Sequence, residues 1–352
     1  MQVLSIDVSR MVAPLNRTFI TAIRQTDVVE DIFIQVSTDI GVGYGSAPAT
    51  TAITGDTLDG LEKELKIIGV KLVGQNISSI EEISNILQSV KSTGAKMAVD
   101  MAFYDLFSKQ SSQPLWKYLG ANQNKISTDV SLSCGSINQV EDAIQQALGK
   151  GFNNLKIKLG NNVNDDIALC KYISQKLPRN ITLRLDANQG WSVDETLSFI
   201  DKVHPLNLNI ELIEQPIAAN DIKGMAAITK YSPYPILADE SIFSVDDARI
   251  VLDAEACHIV NIKLAKSGGI YNAFKILEIA NQHNIECMIG CMMESPLGIA
   301  AASHFAIAAG IKKADLDPLD WVDTKHFSQW LGFSVPNIIL SEKSGLGYTP
   351  NK

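Results

Sequence analysis

Two lysines and three carboxylates recur in this chain at a spacing suited to acid–base chemistry. Lys158, Asp186, Glu214, Asp239 and Lys263 follow one another at 28, 28, 25 and 24 residues, and Cys291 and Asp315 continue the series at 28 and 24. A step of that size holds one strand and one helix, so each residue falls at the same point of successive βα units. In a closed parallel barrel the C-terminal strand ends face the active site. Three carboxylates meeting there repel one another unless a cation holds them. Oxygen ligands favour Mg2+ over zinc. His204, His258, His283, His304 and His326 form no HxxxH-type pair, which also disfavours zinc.

Asp186, Glu214 and Asp239 are therefore the predicted ligands of one Mg2+ per subunit. Lys158 and Lys263 flank them on the outer strands, as two acid/base groups reaching a substrate from opposite faces. Lys156 lies one strand period before Lys158 and is placed among the substrate-site residues, where like-charge repulsion would lower the pKa of Lys158. Mg2+ on a substrate carboxylate would stabilise the enediolate left when the α-proton departs.

Each piece alone has a plainer account. Lys156-Ile157-Lys158 could be a solvated strand face, Asp186-Ala187-Asn188 a helix cap, and Glu214-Gln215-Pro216 or Asp239-Glu240 turn chemistry. The agreement of all of them at barrel spacing carries the expectation.

The elements that must position these groups are legible as apolar runs. From about residue 125, runs at Asp129–Ser133, Asn154–Lys158, Thr182–Asp186, Ile210–Glu214, Ile236–Asp239, Ile259–Lys263, Glu286–Gly290 and Ala314–Asp317 alternate with helical segments. The helices are Gln139–Gly149, Asp165–Leu177, Val193–Val203, Ile222–Lys230, Val245–Leu252, Gly269–His283 and Leu297–Ala309. Before them, Val3–Val8 and Ile32–Val36 alternate as strands and Leu15–Asp31 reads as a loop. Gly41–Gly45 reads as a turn, and helices are expected near Leu58–Leu65, Ser79–Ser92 and Lys96–Gln110. His258, in an apolar run, reads as a core histidine.

Bulk properties exclude several classes. Over 352 residues the hydrophobic fraction is 46% and the net charge −9, so a sizeable core is possible and no basic stripe is present for nucleic acid or an anionic membrane surface. The N-terminus shows no basic region followed by an apolar run, and no stretch reaches a membrane span of ~18 apolar residues. Cys134, Cys170, Cys257, Cys287 and Cys291 are odd in number and contain no CxxC, which fits a reducing cytoplasm.

Lys156-Ile157-Lys158, Asp186-Ala187-Asn188, Glu214-Gln215-Pro216, Ala238-Asp239-Glu240-Ser241 and Asn261-Ile262-Lys263-Leu264 together resemble the signature of the muconate-lactonizing-enzyme subgroup of the enolase superfamily. This superfamily's Lys or His base acting with Mg2+ is a stock example of tuned acid–base chemistry. The resemblance spans essentially the whole chain. It implies an α/β fold, a (β/α)7β TIM-like barrel with an α+β capping domain. The cap would be 1–120, the barrel 121–318, and 319–352 a C-terminal segment returning to the cap. It implies the metal and acid/base roles given above.

Further motifs resemble those of dipeptide epimerases. Asp315-Leu316-Asp317 resembles their DxD, whose carboxylates hold the substrate ammonium, and paired carboxylates do make a cation site. Cys291-Met292-Met293-Glu294-Ser295 resembles the seventh-strand segment that touches substrate, with Cys291 and Met293 as contacts. Pro296 follows where many relatives carry a basic or polar residue. Ser131 matches a first-strand hydroxyl position. Thr21-Ala22-Ile23-Arg24 resembles the mobile specificity loop, where Arg24 would bind a glutamate side chain bidentately. The implied reaction is 1,1-proton transfer on a dipeptide, with L-Ala-L/D-Glu of murein peptide metabolism as substrate. A cycloisomerase or o-succinylbenzoate synthase-like lyase is the alternative on the same fold, and a non-catalytic metal-dependent binding protein is a third. The expected partners are a dipeptide and further copies of the chain in a homo-oligomer, with neither nucleic acid nor membrane.

Overall fold

The computed structural model describes residues 1–21, 25–323, 325 and 327–350. Arg24 and His326 lie outside the described residues.

The chain opens with an antiparallel sheet of β1 (Val3–Ile20), β2 (Gln25–Thr38) and β3 (Gly41–Pro48). Helices α1 (Thr51–Thr54), α2 (Leu58–Leu72), α3 (Ile80–Leu87), α4 (Thr93–Gln110) and α5 (Leu115–Tyr118) follow. Alternate residues Ile32, Ile34 and Val36 of β2 pack with Leu61, Leu65 and Ile68 of α2 and with Ala98 and Phe103 of α4, giving this region its own core.

Two expectations fail here for identifiable reasons. Leu15–Ile20 and Gln25–Asp31 are strand rather than loop, because β1 and β2 stay paired out to Ile20 and Gln25 with one irregularity between Pro14 and Phe19. The arm is polar because neither face is wholly buried past Pro14, and the end of β1 is held by the barrel: Ile20 N donates to Ser133 Oγ at 3.1 Å and Cys134 N to Ile20 O at 3.0 Å. Gly41–Gly45 is not a turn but the start of β3. The glycines at 43 and 45 let α4 lie directly on the strand, since a Cβ at either would come within 2.2 Å of the Ala102 carbonyl or 1.9 Å of the Ala98 carbonyl.

After β4 (Lys125–Ser127) strands and helices alternate, with two helices in the connection after β10: β5 (Val130–Leu132), α6 (Ile137–Lys150), β6 (Asn154–Lys158), α7 (Val163–Lys176), β7 (Thr182–Asp186), α8 (Val193–Val203), β8 (Ile210–Glu214), α9 (Ile222–Tyr231), β9 (Ile236–Ala238), α10 (Val245–Asp253), β10 (Ile259–Lys263), α11 (Leu264–Ser267), α12 (Ile270–Gln282), β11 (Glu286–Gly290), α13 (Pro296–Ala308) and β12 (Lys313–Asp315). The strands form one parallel sheet in sequence order. Asp129 N donating to Ala314 O at 3.3 Å joins its two ends. This is a (β/α)7β barrel. Strands such as Ile259–Lys263 are buried at every position, as the near-continuous apolar runs require. Side chains at Asn162, Ser192, Asp221, Ser244 and Ser295 cap the helices that follow the strands.

The last elements are α14 (Pro318–Trp321), β13 (Gly332–Ser334) and β14 (Asn337–Ile339), the last two forming a small sheet with β4. Beyond it Leu346 N donates to Asp105 Oδ1 of α4 at 2.8 Å, and Tyr348 packs its ring on Phe33 and Tyr44. His258 is exposed rather than core, with Nδ1 accepting from Ile236 N at 3.0 Å. It precedes β10, at the barrel end remote from Lys263. No helix of the described residues is long and apolar enough to cross a membrane.

Candidate active site

The strand register brings the predicted groups into rows. Lys158 pairs with Asp186 and Asp186 with Glu214 across β6, β7 and β8, while Lys263 pairs with Gly290 and Gly290 with Asp315 across β10, β11 and β12. The carboxylates do not face one another bare. Lys158 Nζ donates to Asp186 Oδ2 at 2.6 Å and Lys263 Nζ to Asp239 Oδ2 at 2.6 Å. Lys156, fully enclosed, reaches Asp186 Oδ2 at 3.0 Å, Glu214 Oε2 at 2.7 Å and Asp315 Oδ2 at 2.7 Å.

These pairings set the electrostatics. Burial alone raises a carboxyl pKa, but Lys156 and Lys158 override it at Asp186, and Lys263, Lys266 and Lys156 override it at Asp239, so both stay below the ordinary range. Glu214 has less compensation, and burial with the Asp186 charge pushes it up to about 7. Burial lowers Lys263, yet Asp239 more than offsets it, so this ammonium holds its proton more tightly than a free lysine.

One cavity collects the remaining predicted residues. Lys158, Lys263, Asp239, Asp315, Asp317, Ser131, Cys291 and Met293 line it from the barrel, and Phe19, Thr21, Thr50, Ala52 and Ile53 from the N-terminal region. Lys156, Asp186 and Glu214 lie beneath it rather than on its wall. Asp317 Oδ2 accepts from Ser131 N at 2.7 Å and Trp321 Nε1 at 3.0 Å. Burial and the neighbouring Asp315 raise its pKa. Against burial, Lys156, Lys158 and Lys263 hold Asp315 below the usual range. The Cys291 thiol donates to Asp315 O at 3.2 Å, and burial with Asp315 pushes its pKa well up, which suits a packing role and no nucleophile.

The donor set fits a hard divalent cation by its chemistry: three buried carboxylates from adjacent strands, with Asn188 Oδ1 and Glu240 Oε2 buried beside them without hydrogen-bond partners. Among the described residues no three His, Cys, Asp or Glu side chains are close enough to grip a metal as they stand. Lysine ammoniums occupy the positions between them.

Residues 139–352 match the family described as Enolase C-terminal domain-like, and residues 1–120 match the Mandelate racemase / muconate lactonizing enzyme, N-terminal domain. The chain belongs to the enolase superfamily. It is 44% identical over 353 residues to the L-Ala-D/L-Glu epimerase of Francisella tularensis subsp. novicida, covering 99% of each chain. The structure of a substrate-liganded complex of the L-Ala-D/L-Glu epimerase from Bacillus subtilis superposes with a TM-score of 0.95 at 36% identity, covering 99% of this chain and 98% of that one. A dipeptide epimerase from Enterococcus faecalis, complexed with Mg and the dipeptide L-Leu-L-Tyr, gives 0.92 at 34% identity over 99% of each chain.

Several residues of this enolase-superfamily site escaped sequence reasoning. Lys266, 1% exposed, donates to Asp239 Oδ1 at 2.5 Å, to Asn261 O at 3.1 Å and to the Asp239 carbonyl. It lies three residues after Lys263, and the single turn of α11 folds it back toward Asp239 at the end of β9. Asn261 Nδ2 donates to Glu214 Oε1 at 3.1 Å, and Gln215 Oε1 accepts from Asp239 N at 2.9 Å. Asn188 does not cap the next helix, a role Ser192 takes; its Nδ2 donates to Glu240 Oε1 at 3.2 Å and its N to Asp186 Oδ1 at 2.9 Å.

Proposed function

We propose that the chain is a Mg2+-dependent dipeptide epimerase that inverts the α-carbon of the C-terminal residue, with L-Ala-L-Glu and L-Ala-D-Glu as its best substrates and murein peptide metabolism as its setting. The observation that carries this is the shared cavity, lined by two lysines from strands four apart and by the two carboxylates of Asp315-Leu316-Asp317. Lysines on either side of a carbanion are what inversion needs. Paired carboxylates are what a free ammonium needs, and a cycloisomerase or o-succinylbenzoate synthase-like lyase has no such group to bind. The names of the Francisella and Bacillus relatives support Ala-Glu.

Asp186, Glu214 and Asp239 would hold one Mg2+. When bound, it would supply positive charge to the substrate carboxylate as the α-proton leaves. Lys158 takes the α-proton of the L epimer and Lys263 delivers one to the opposite face; for the D epimer the roles exchange. Asp317, with Asp315, holds the ammonium, and Ser131, Cys291 and Met293 shape the wall. Arg24 pairs with a glutamate side chain. The cap 1–120, the barrel 121–318 and the tail 319–352 are the working units, in a homo-oligomer. Five unpaired cysteines support a reducing cytoplasm as the location.

Incubating the protein with Mg2+ and a dipeptide library in D2O tests this by mass. A gain of one dalton in Ala-Glu, with both epimers appearing, is expected. No gain in any dipeptide refutes it.

A further inference from the structure

Helix α4 of the N-terminal region touches the barrel at a point the proton chemistry does not use. Asp100, 3% exposed, aims its carboxyl at the start of α12: Oδ2 accepts from Ile270 N at 2.6 Å and Oδ1 from Tyr271 N at 3.4 Å. A helix leaves its first N–H groups unpaired, and the residue at the cap position of α12 is Gly269, which has no side chain to serve them. The approach is close. Gly269 has φ +113°, and a Cβ there would come within 2.4 Å of Asp100 Oδ2. A Cβ at Gly268 would meet the Lys96 side chain of the same helix at 3.2 Å.

The segment so held is the connection from β10 to α12. Lys263 stands at its start and Lys266 within it, with the Lys266 ammonium on Asp239. The connection after Lys158 is secured differently, within the barrel. Leu159 N donates to Asp186 O at 2.7 Å, and Gly160 N to Asp166 Oδ2 at 3.0 Å, which also accepts from Trp191 Nε1 at 2.9 Å. The N-terminal region reaches the Lys158 end through Cys134, whose Sγ donates to Lys158 O at 3.4 Å and whose N donates to Ile20 O at 3.0 Å, whereas it caps the Lys263 connection directly.

We infer that Asp100 is a positioning residue through which the cap sets Lys263 against the substrate, leaving Lys158 unaffected. This rests on the two-lysine reading above. Burial pushes the Asp100 carboxyl up to about 8 against the pull of the two backbone N–H groups, and an amide in its place keeps one acceptor oxygen for the 2.6 Å bond from Ile270 N.

The test compares return with inversion in D2O. From the L epimer, Lys158 removes the proton; either Lys158 returns a deuteron with retention or Lys263 delivers one with inversion. In Asp100→Ala, slower delivery by Lys263 should raise the retention-to-inversion ratio from the L epimer by roughly tenfold, well inside the ~10²-fold that a 1 Å misplacement costs. From the D epimer the same ratio should fall, because the return step is now the impaired one. Asp100→Asn should restore both ratios. If Asp100→Ala does not fold, Gly269→Ala pushes on the same contact from the barrel side and should shift the ratios in the same opposed directions. Ratios that stay at the wild-type values, or move the same way from both epimers, overturn the assignment, because a general loss of structure has no preference for one face. If the unmodified enzyme shows neither exchange nor inversion, the proton-transfer reading falls and this assignment falls with it.

Discussion

Replacing Asp239 by Asn should destabilise the metal-free protein. Sequence alone suggests the opposite, because three convergent carboxylates repel and removing one relieves the strain. In the structure Asp239 is 2% exposed and lies between two ammoniums, Lys263 at 2.6 Å and Lys266 at 2.5 Å. An amide cannot neutralise either, and removing one partner of a buried pair costs about 3–5 kcal/mol. Spread over 352 residues at ~2.1 cal/mol/K each, that is a fall in Tm of about 4–7 °C. Thermal melts of wild type and Asp239→Asn in EDTA provide the comparison. The direction of the Asp239 shift adds a control. Its folded pKa is depressed, so the pair contributes above the unfolded carboxyl pKa of ~3.9 and is lost as pH falls below it. The gap between the two proteins should therefore be steady near neutral pH and close in acid. Added Mg2+ should raise the Tm of wild type more than that of the variant. A variant in EDTA as stable as wild type, or more so, would show that carboxylate repulsion outweighs the lysine pairs, and would refute the reasoning.

Lys158→Ala and Lys263→Ala should each abolish epimerisation yet exchange the α-proton of opposite epimers, L for the variant that keeps Lys158 and D for the one that keeps Lys263, as read by mass and chiral separation; near wild-type inversion in either means a single base. Arg24→Ala should cost about 1.5–3 kcal/mol in kcat/KM for Ala-Glu and little for dipeptides with an apolar second residue; an equal loss across substrates removes Arg24 from specificity. Burial and Asp31 push the Glu294 carboxyl up to about 8, so its neutral form contributes fully below the unfolded pKa and that contribution is lost as pH rises toward the folded one. Glu294→Gln, neutral throughout, should gain stability relative to wild type between about pH 5 and 8.5 in urea unfolding, and a flat difference contradicts this. Asp317→Asn should raise KM for dipeptides with a free ammonium while leaving Mg2+ affinity by calorimetry unchanged; a matching loss of Mg2+ affinity would place Asp317 with the metal.

What was legible in the sequence shares one physical origin. Most barrel strand positions are buried, so each strand appears as a short, mainly apolar run, and its polar end faces the open end of the barrel; Lys156, Arg184 and Asn261 are polar within their strands because each has a buried partner. Lys158, Asp186, Glu214 and Lys263 end their strands in the structure as in the runs. The β1–β2 arm was misread because neither of its faces is wholly buried past Pro14, which erases the alternation that marks a strand. The glycines of β3 were misread because their cause, the α4 backbone at Ala98 and Ala102, lies more than fifty residues downstream of them.

Lys266 and Asp100 were illegible for a stronger reason. A strand-end residue takes its role from local geometry, whereas Lys266 takes its role from the direction of a single helical turn and Asp100 from where an entire domain docks. Neither direction nor docking leaves a period in the chain. Yet both bear on Lys263, through Asp239 and through the β10–α12 connection. Lys158 has the carboxylate of the next strand and its own barrel loop, all of it inside the repeat that the sequence displays. The two lysines proposed as acid/base groups are thus alike in the sequence and unlike in their support. A change in the cap should therefore be felt first on the Lys263 face of the substrate, and the opposed movement of the two exchange ratios in Asp100→Ala is the direct measure of that asymmetry.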